Sequence, residues 1–173
     1  MDEIELKILE IDKEDVERRL YEIGASKIFE SEIHTELYRF ENKDTIDDEG
    51  LLRLRVRDDE AFVTRKMASE NPDSDLKIKE EIEFDVDNPD EVRNFFKSIS
   101  LNKTLENNKK RVKWVKDDVE VVLDKHEDIP WFLEIEADSK EKIEEMVEQL
   151  GYKMDRTVAL GALELLDRYN ELE

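Results

Sequence analysis

Glu3-Ile4-Glu5-Leu6-Lys7 alternates charged and apolar residues with a period of two. Successive side chains of a strand point to opposite faces, so Glu3, Glu5 and Lys7 share one face and Ile4, Leu6 and Ile8 the other. Two carboxylates beside an ammonium could grip a hard divalent cation and a phosphate together. A half-solvated edge strand has the same pattern, so the reading depends on whether the rest of the chain repeats it.

The repetition is extensive. Arg53, Arg55 and Arg57 alternate with Leu52, Leu54 and Val56, and Lys77, Lys79, Glu81 and Glu83 with Ile78, Ile82 and Phe84. Lys109, Arg111 and Lys113 lie opposite Val112 and Trp114. Glu120 and Asp124 lie opposite Val121 and Leu123, and Glu134 and Glu136 opposite Leu133 and Ile135. Phe62, Thr64 and Lys66 face one way, Ala61 and Val63 the other. The polar faces are almost wholly ionic. Two architectures fit: a flat sheet showing its charged face to water, or a curled sheet whose charged face lines an enclosed tunnel. An ionic interior is costly unless its charges are paired or hold a ligand. A polyphosphate with Mg²⁺ or Mn²⁺ would suit one, with carboxylates on the metal and Arg and Lys on the phosphates.

Helices punctuate this pattern. Asp12 is a candidate N-cap, with Val16, Leu20 and Ile23 on one face and Gly24 as the stop. Asn88 and Pro89 open a second helix through Ile99, and Ser139 caps a third that stops at Gly151. A last helix is predicted from about Val158 to Tyr169. Extended segments are predicted at 2–9, 26–40, 51–57, 61–67, 76–86, 109–116, 119–124 and 131–137, with loops at 41–50 and 68–75. Phe95, Phe96, Met146 and Leu150 read as core, Trp114 and Trp131 as packing against helices, and His126 as solvated. Short hairpin turns imply antiparallel pairing, which makes the class α+β.

Composition narrows the function. A net charge of -21 lacks the basic footprint of a nucleic-acid binder, so nucleic acid is not an expected partner. The 38% of apolar residues is periodic, which separates the chain from a disordered acidic tail. The absence of cysteine removes disulfides, thiolate catalysis and Cys-based metal sites. His34 and His126 are far apart in sequence, so a metal would be a hard ion on carboxylates. No apolar run reaches membrane-spanning length and no signal-peptide core is visible, so a cytoplasmic location without membrane partners is expected.

Read in order, these segments resemble the motifs of the CYTH, or triphosphate tunnel metalloenzyme, superfamily. Glu3-x-Glu5-x-Lys7 is similar to its ExExK signature, and Leu52-Arg53-Leu54-Arg55 to its LRxR strand. Thr64-Arg65-Lys66, Lys77-x-Lys79-x-Glu81-x-Glu83 and Lys109-x-Arg111 resemble its T-x-K, K-x-R-x-E-x-E and K-x-R strands. Leu123-Asp124 and Phe132-Leu133-Glu134-Ile135-Glu136 resemble its ending. His34-x-Glu36-x-Tyr38-x-Phe40 and Leu163-Glu164-Leu165-Leu166 look most like the class IV adenylate cyclase-like branch. Among the departures, Lys79 stands where Arg is usual and loses bidentate phosphate geometry.

The resemblance implies one CYTH-like domain over residues 1–173, an antiparallel β-barrel closed around a charged tunnel with helices outside. It implies Glu3, Glu5, Asp124, Glu134 and Glu136 as ligands of Mg²⁺ or Mn²⁺. Lys7, Arg53, Arg55, Lys66, Lys77, Lys79, Lys109 and Arg111 would hold the triphosphate; all of these but Lys77 and Lys79 would also act in catalysis. Glu81, Glu83 and Glu120 would support them. The implied substrates are ATP, tripolyphosphate or thiamine triphosphate, by cyclisation of ATP to cyclic AMP and pyrophosphate or by hydrolysis. Binding of polyphosphate or a nucleotide without turnover is the remaining alternative, and a homodimer is implied as a possible assembly.

Overall fold

The computed structural model describes residues 4–40, 52–68, 79–161, 164–165 and 168–169; side chains at 66–68 and 79–81 fall outside this set. Glu3 and Lys77, the side chains of Lys66, Lys79 and Glu81, and the loop expected at 41–50 therefore lie outside the described residues.

Among the described residues the principal elements are nine strands and three α-helices. The strands are β1 (Ile4–Ile8), β2 (Ser26–Phe40), β3 (Leu52–Arg57), β4 (Glu60–Ala68), β5 (Lys79–Val86), β6 (Leu101–Lys116), β7 (Val119–His126), β8 (Phe132–Ala137) and β9 (Thr157–Val158). The helices are α1 (Lys13–Glu22), α2 (Pro89–Ser98) and α3 (Lys140–Gln149). The class is α+β, and the hydrogen-bonded strand order is β5-β4-β3-β2-β6-β7-β8-β1-β9. Among the described residues no pairing joins β5 to β9, where a closed barrel was expected; β9 has only two residues and both pair with β1.

The described residues form two compact units, one within 4–30 and 110–169, the other within 31–68 and 79–109. In the first unit β1 runs antiparallel to β8, which runs antiparallel to β7. Alternation sends Ile8, Val121, Leu123, Leu133 and Ile135 to one side of these strands, where they pack with Val16 and Leu20 of α1 and Ile143, Met146 and Val147 of α3. Full burial of each such aliphatic side chain contributes about 1.5–3 kcal/mol. Asp12 caps α1 by accepting the Asp15 N–H at 2.9 Å, and Gly24 ends the turn at φ +82°. Trp131 packs against the edge of this core, as expected, with the Lys13 ammonium 5.5 Å from its ring centroid.

In the second unit β2, β3, β4 and β5 are joined by antiparallel ladders. Tyr38, Leu54 and Val63 form a smaller core with Phe96 and Leu101. Asn88 caps α2 through the N–H groups of Asp90 and Glu91, which lets Phe96 meet Tyr38 edge-on at 4.9 Å between ring centroids.

Four further expectations differ from the structure. Phe95 is 59% exposed, because α2 turns only Phe96 of the pair toward Tyr38. His126 is buried, with its ring stacked on Phe132 at 5.9 Å. Strand β6 begins at Leu101, eight residues before the predicted start. Val158 belongs to β9, so the last helix does not begin there; residues 164–165 and 168–169 are helical.

Candidate metal and anion site

The first unit concentrates its charge on the face of β1, β7 and β8 opposite the aliphatic core. The antiparallel register sets Glu5 directly across from Glu136, and Lys7 across from Glu134. Like charges facing each other on neighbouring strands repel, and opposite charges attract. Lys7 is only 2% exposed. Its ammonium donates to Glu5 and lies 3.1 Å from Glu134. Glu5, Glu134 and Glu136 can each turn one carboxylate oxygen to within 4.8 Å of the others. Three hard oxygen donors on two rigid, paired strands match the chemistry of Mg²⁺ or Mn²⁺.

Arg111 of β6 reaches the same face. Its Nε donates to Asp124 at 2.7 Å, its Nη2 to the other oxygen of Asp124, and Nη2 also to Glu134 at 3.0 Å. Asp124 is fully buried, so the fork is a bidentate ion pair shielded from water. Burial opposes the Arg111 charge, but Asp124 and Glu134 outweigh it and raise the pKa above the ordinary guanidinium value. Asp124 thus sits with Arg111, outside the group of three carboxylates able to converge. Glu120, across from Glu136, pairs with Lys113 at 2.7 Å.

The second unit carries a basic row on the face of β3 opposite its own aliphatic core. Register places Arg53 across from Thr64, and Thr64 across from Glu83. Arg53 donates to the Thr64 hydroxyl at 3.3 Å, and that hydroxyl donates to Glu83 at 2.6 Å. Thr64 is buried and couples the two charges, a role not assigned to it from sequence; its place two residues before Lys66 on an alternating strand was the available signal. Arg55 lies one step along, across from Thr35 and Phe62. Arg57 pairs with Glu60. Lys109 is half-buried.

The other face of β2 holds a separate polar cluster. Register puts Glu36 across from Leu54 and Tyr38 across from Leu52, the aliphatic side of β3. Glu36 is 3% exposed and accepts from Arg93 Nε of α2 at 3.0 and 3.1 Å, from the Tyr38 hydroxyl, and from His34. Burial pushes the Glu36 pKa up, yet the hydrogen bonds from Arg93, Tyr38 and His34 prevail and hold it at about 2. His34, Glu36 and Glu106 also satisfy the distance condition for a cation. The Arg93 guanidinium already occupies both oxygens of Glu36, which makes this cluster an anchor of α2 onto β2.

Comparison with known proteins identifies relatives of this chain. Residues 1–161 match the model of the CYTH domain. A candidate adenylate cyclase of Methanocaldococcus jannaschii is 30% identical over 177 residues, covering 95% of this chain and 98% of that protein. The solved structure of a candidate adenylate cyclase from Vibrio parahaemolyticus superposes with a TM-score of 0.80 at 14% identity, covering 96% of this chain and 98% of the other. A Hippeastrum protein, described as a candidate adenylyl cyclase with a dominant triphosphatase activity, superposes at 0.63 with 15% identity over 100% of this chain and 97% of its own.

Proposed function

The chain belongs to the CYTH family, and from that premise we propose that it is a metal-dependent enzyme acting on a triphosphate, with cyclisation of ATP to cyclic AMP and pyrophosphate as the leading reaction. The observation that carries the reading is the convergence of Glu5, Glu134 and Glu136, the first two of them paired with the buried Lys7 ammonium. A binder of anions alone would need the bases and not the acids.

Glu5, Glu134 and Glu136 would hold Mg²⁺ or Mn²⁺, which when bound would polarise a phosphoryl oxygen and offset charge developing on it. Arg111 is held rigid by Asp124, so its positive charge is preorganised. Arg53 is oriented by Thr64 and Glu83, and Arg53 and Arg55 would donate to phosphate oxygens with the planar geometry that suits guanidinium. Lys66, Lys77, Lys79 and Lys109 would add positive charge for the same anion. Hydrolysis of the terminal phosphate is the second reading, favoured by the triphosphatase activity described for the Hippeastrum protein of like fold.

Pure protein incubated with ATP, tripolyphosphate or thiamine triphosphate, each with Mg²⁺ or Mn²⁺, separates these outcomes. Cyclic AMP and pyrophosphate from ATP are expected. Orthophosphate from tripolyphosphate without cyclic AMP would replace the cyclase by a hydrolase. No turnover and no thermal stabilisation by any triphosphate would overturn both.

A further inference from the structure

Lys7 occupies the place a divalent ion would want. Its ammonium touches Glu5 and lies 3.1 Å from Glu134, and these are two of the three carboxylates that can converge on a cation. A dication and an ammonium cannot share those oxygens without strong repulsion. Lys7 is also 2% exposed, so water does little to screen that conflict. The six side chains of the cluster carry four negative charges (Glu5, Asp124, Glu134, Glu136) and two positive ones (Lys7, Arg111). Arg111 is committed to Asp124 by two hydrogen bonds. Lys7 has a single-point head on a flexible stem and is the cation that can move.

We propose that Lys7 is a built-in substitute for the metal: its ammonium holds Glu5 and Glu134 together while no divalent ion is bound, and an arriving ion displaces it. The displaced charge is then released toward the anion that accompanies the metal, a consequence that rests on the triphosphate reading above. Metal entry and presentation of Lys7 become one event.

The test is metal binding alone, with the full chain and no nucleotide. Mn²⁺ titrated into wild type and Lys7→Met, read by calorimetry and by electron paramagnetic resonance, should bind the variant about 10-fold more tightly, because one competing charge is gone. Lys7→Arg keeps the charge and should show no such gain. Equal or weaker binding by folded Lys7→Met overturns the proposal, as does an equal gain in Lys7→Arg. Should Lys7→Met fold only when Mn²⁺ is present, the cluster needs one cation or the other and the proposal stands. In wild type, the Lys7 ¹⁵Nζ resonance should shift as Mg²⁺ saturates; an unmoved resonance at full occupancy overturns it. A Lys7 that moves on metal binding, in a protein that turns over no triphosphate, leaves the displacement intact and removes the proposed function.

Discussion

Glu36 offers a direct reading of linkage at a single residue. Its carboxyl is held at about 2 against an ordinary value of 4.5. A depressed pKa contributes stability that is fully present above the ordinary value and is lost as pH falls from about 4.5 through about 2. Urea unfolding of wild type should therefore weaken across that window, and Glu36→Gln should show a flatter acid limb; the difference between the two curves isolates this one group. Arg93→Ala should cost about 2–3 kcal/mol at neutral pH, because it leaves a buried carboxylate short of its main partner. At the candidate metal centre, Glu136→Gln should lower metal-dependent turnover at least about 100-fold while the circular dichroism spectrum is unchanged. Turnover at the wild-type rate would remove Glu136 from the metal site. The faces on which Glu5, Lys7, Glu134 and Glu136 lie follow from period-two alternation and were legible in sequence. The pairing of Asp124 with Arg111 was not, since 13 residues and a hairpin separate them and either could have met another charge. Arg93 was invisible for a related reason: nothing on α2 itself announces that Glu36 waits on β2.

Elements show the same division between local and non-local information. Helices α1 and α2 were expected at their observed starts because Asp12 and Asn88 cap them with their own neighbours, a contact within three residues. The first half of β6, Leu101-Asn102-Lys103-Thr104-Leu105-Glu106-Asn107-Asn108, was missed because its polar residues mimic a loop. Its strand state is imposed by flanking strands in the sheet. Phe95 and Phe96 are adjacent on α2, and composition cannot say which one meets Tyr38. The end of α3 illustrates a purely local stop with a distant partner. Gly151 adopts φ +73°, and a Cβ there would stand 2.7 Å from Arg19 Nη1. That guanidinium donates to the Leu150 carbonyl at the C-terminal end of α3 at 2.5 Å, where positive charge is favoured. Gly151→Ala should therefore lose about 1–2 kcal/mol, from left-handed strain and from displacing Arg19. Pairing it with Arg19→Ala in a double-mutant cycle should recover part of that loss.

For the molecule as a whole, charge is the dominant quantity. A net charge of -21 on 173 residues makes self-repulsion a large term in its stability. Raising ionic strength from about 0.01 to 0.15 M shortens the screening length from about 30 to about 8 Å. In chelator-treated protein this should raise Tm, as read by calorimetry. A subsequent addition of Mg²⁺ should raise it further through the carboxylate cluster, and Glu136→Gln should retain the first increment and lose most of the second. The architecture also dictates the order in which the site can come into being. Strand β1 pairs with β8, residue 4 against residue 137, and with β9 beyond it. While the ribosome adds the intervening residues, Glu5 and Lys7 have no Glu134 or Glu136 to meet. At ordinary elongation speeds that interval lasts roughly ten seconds. Glu5, a proposed metal ligand, is thus made well before Glu134 and Glu136, and the proposed site can assemble only after the residues between them have been added.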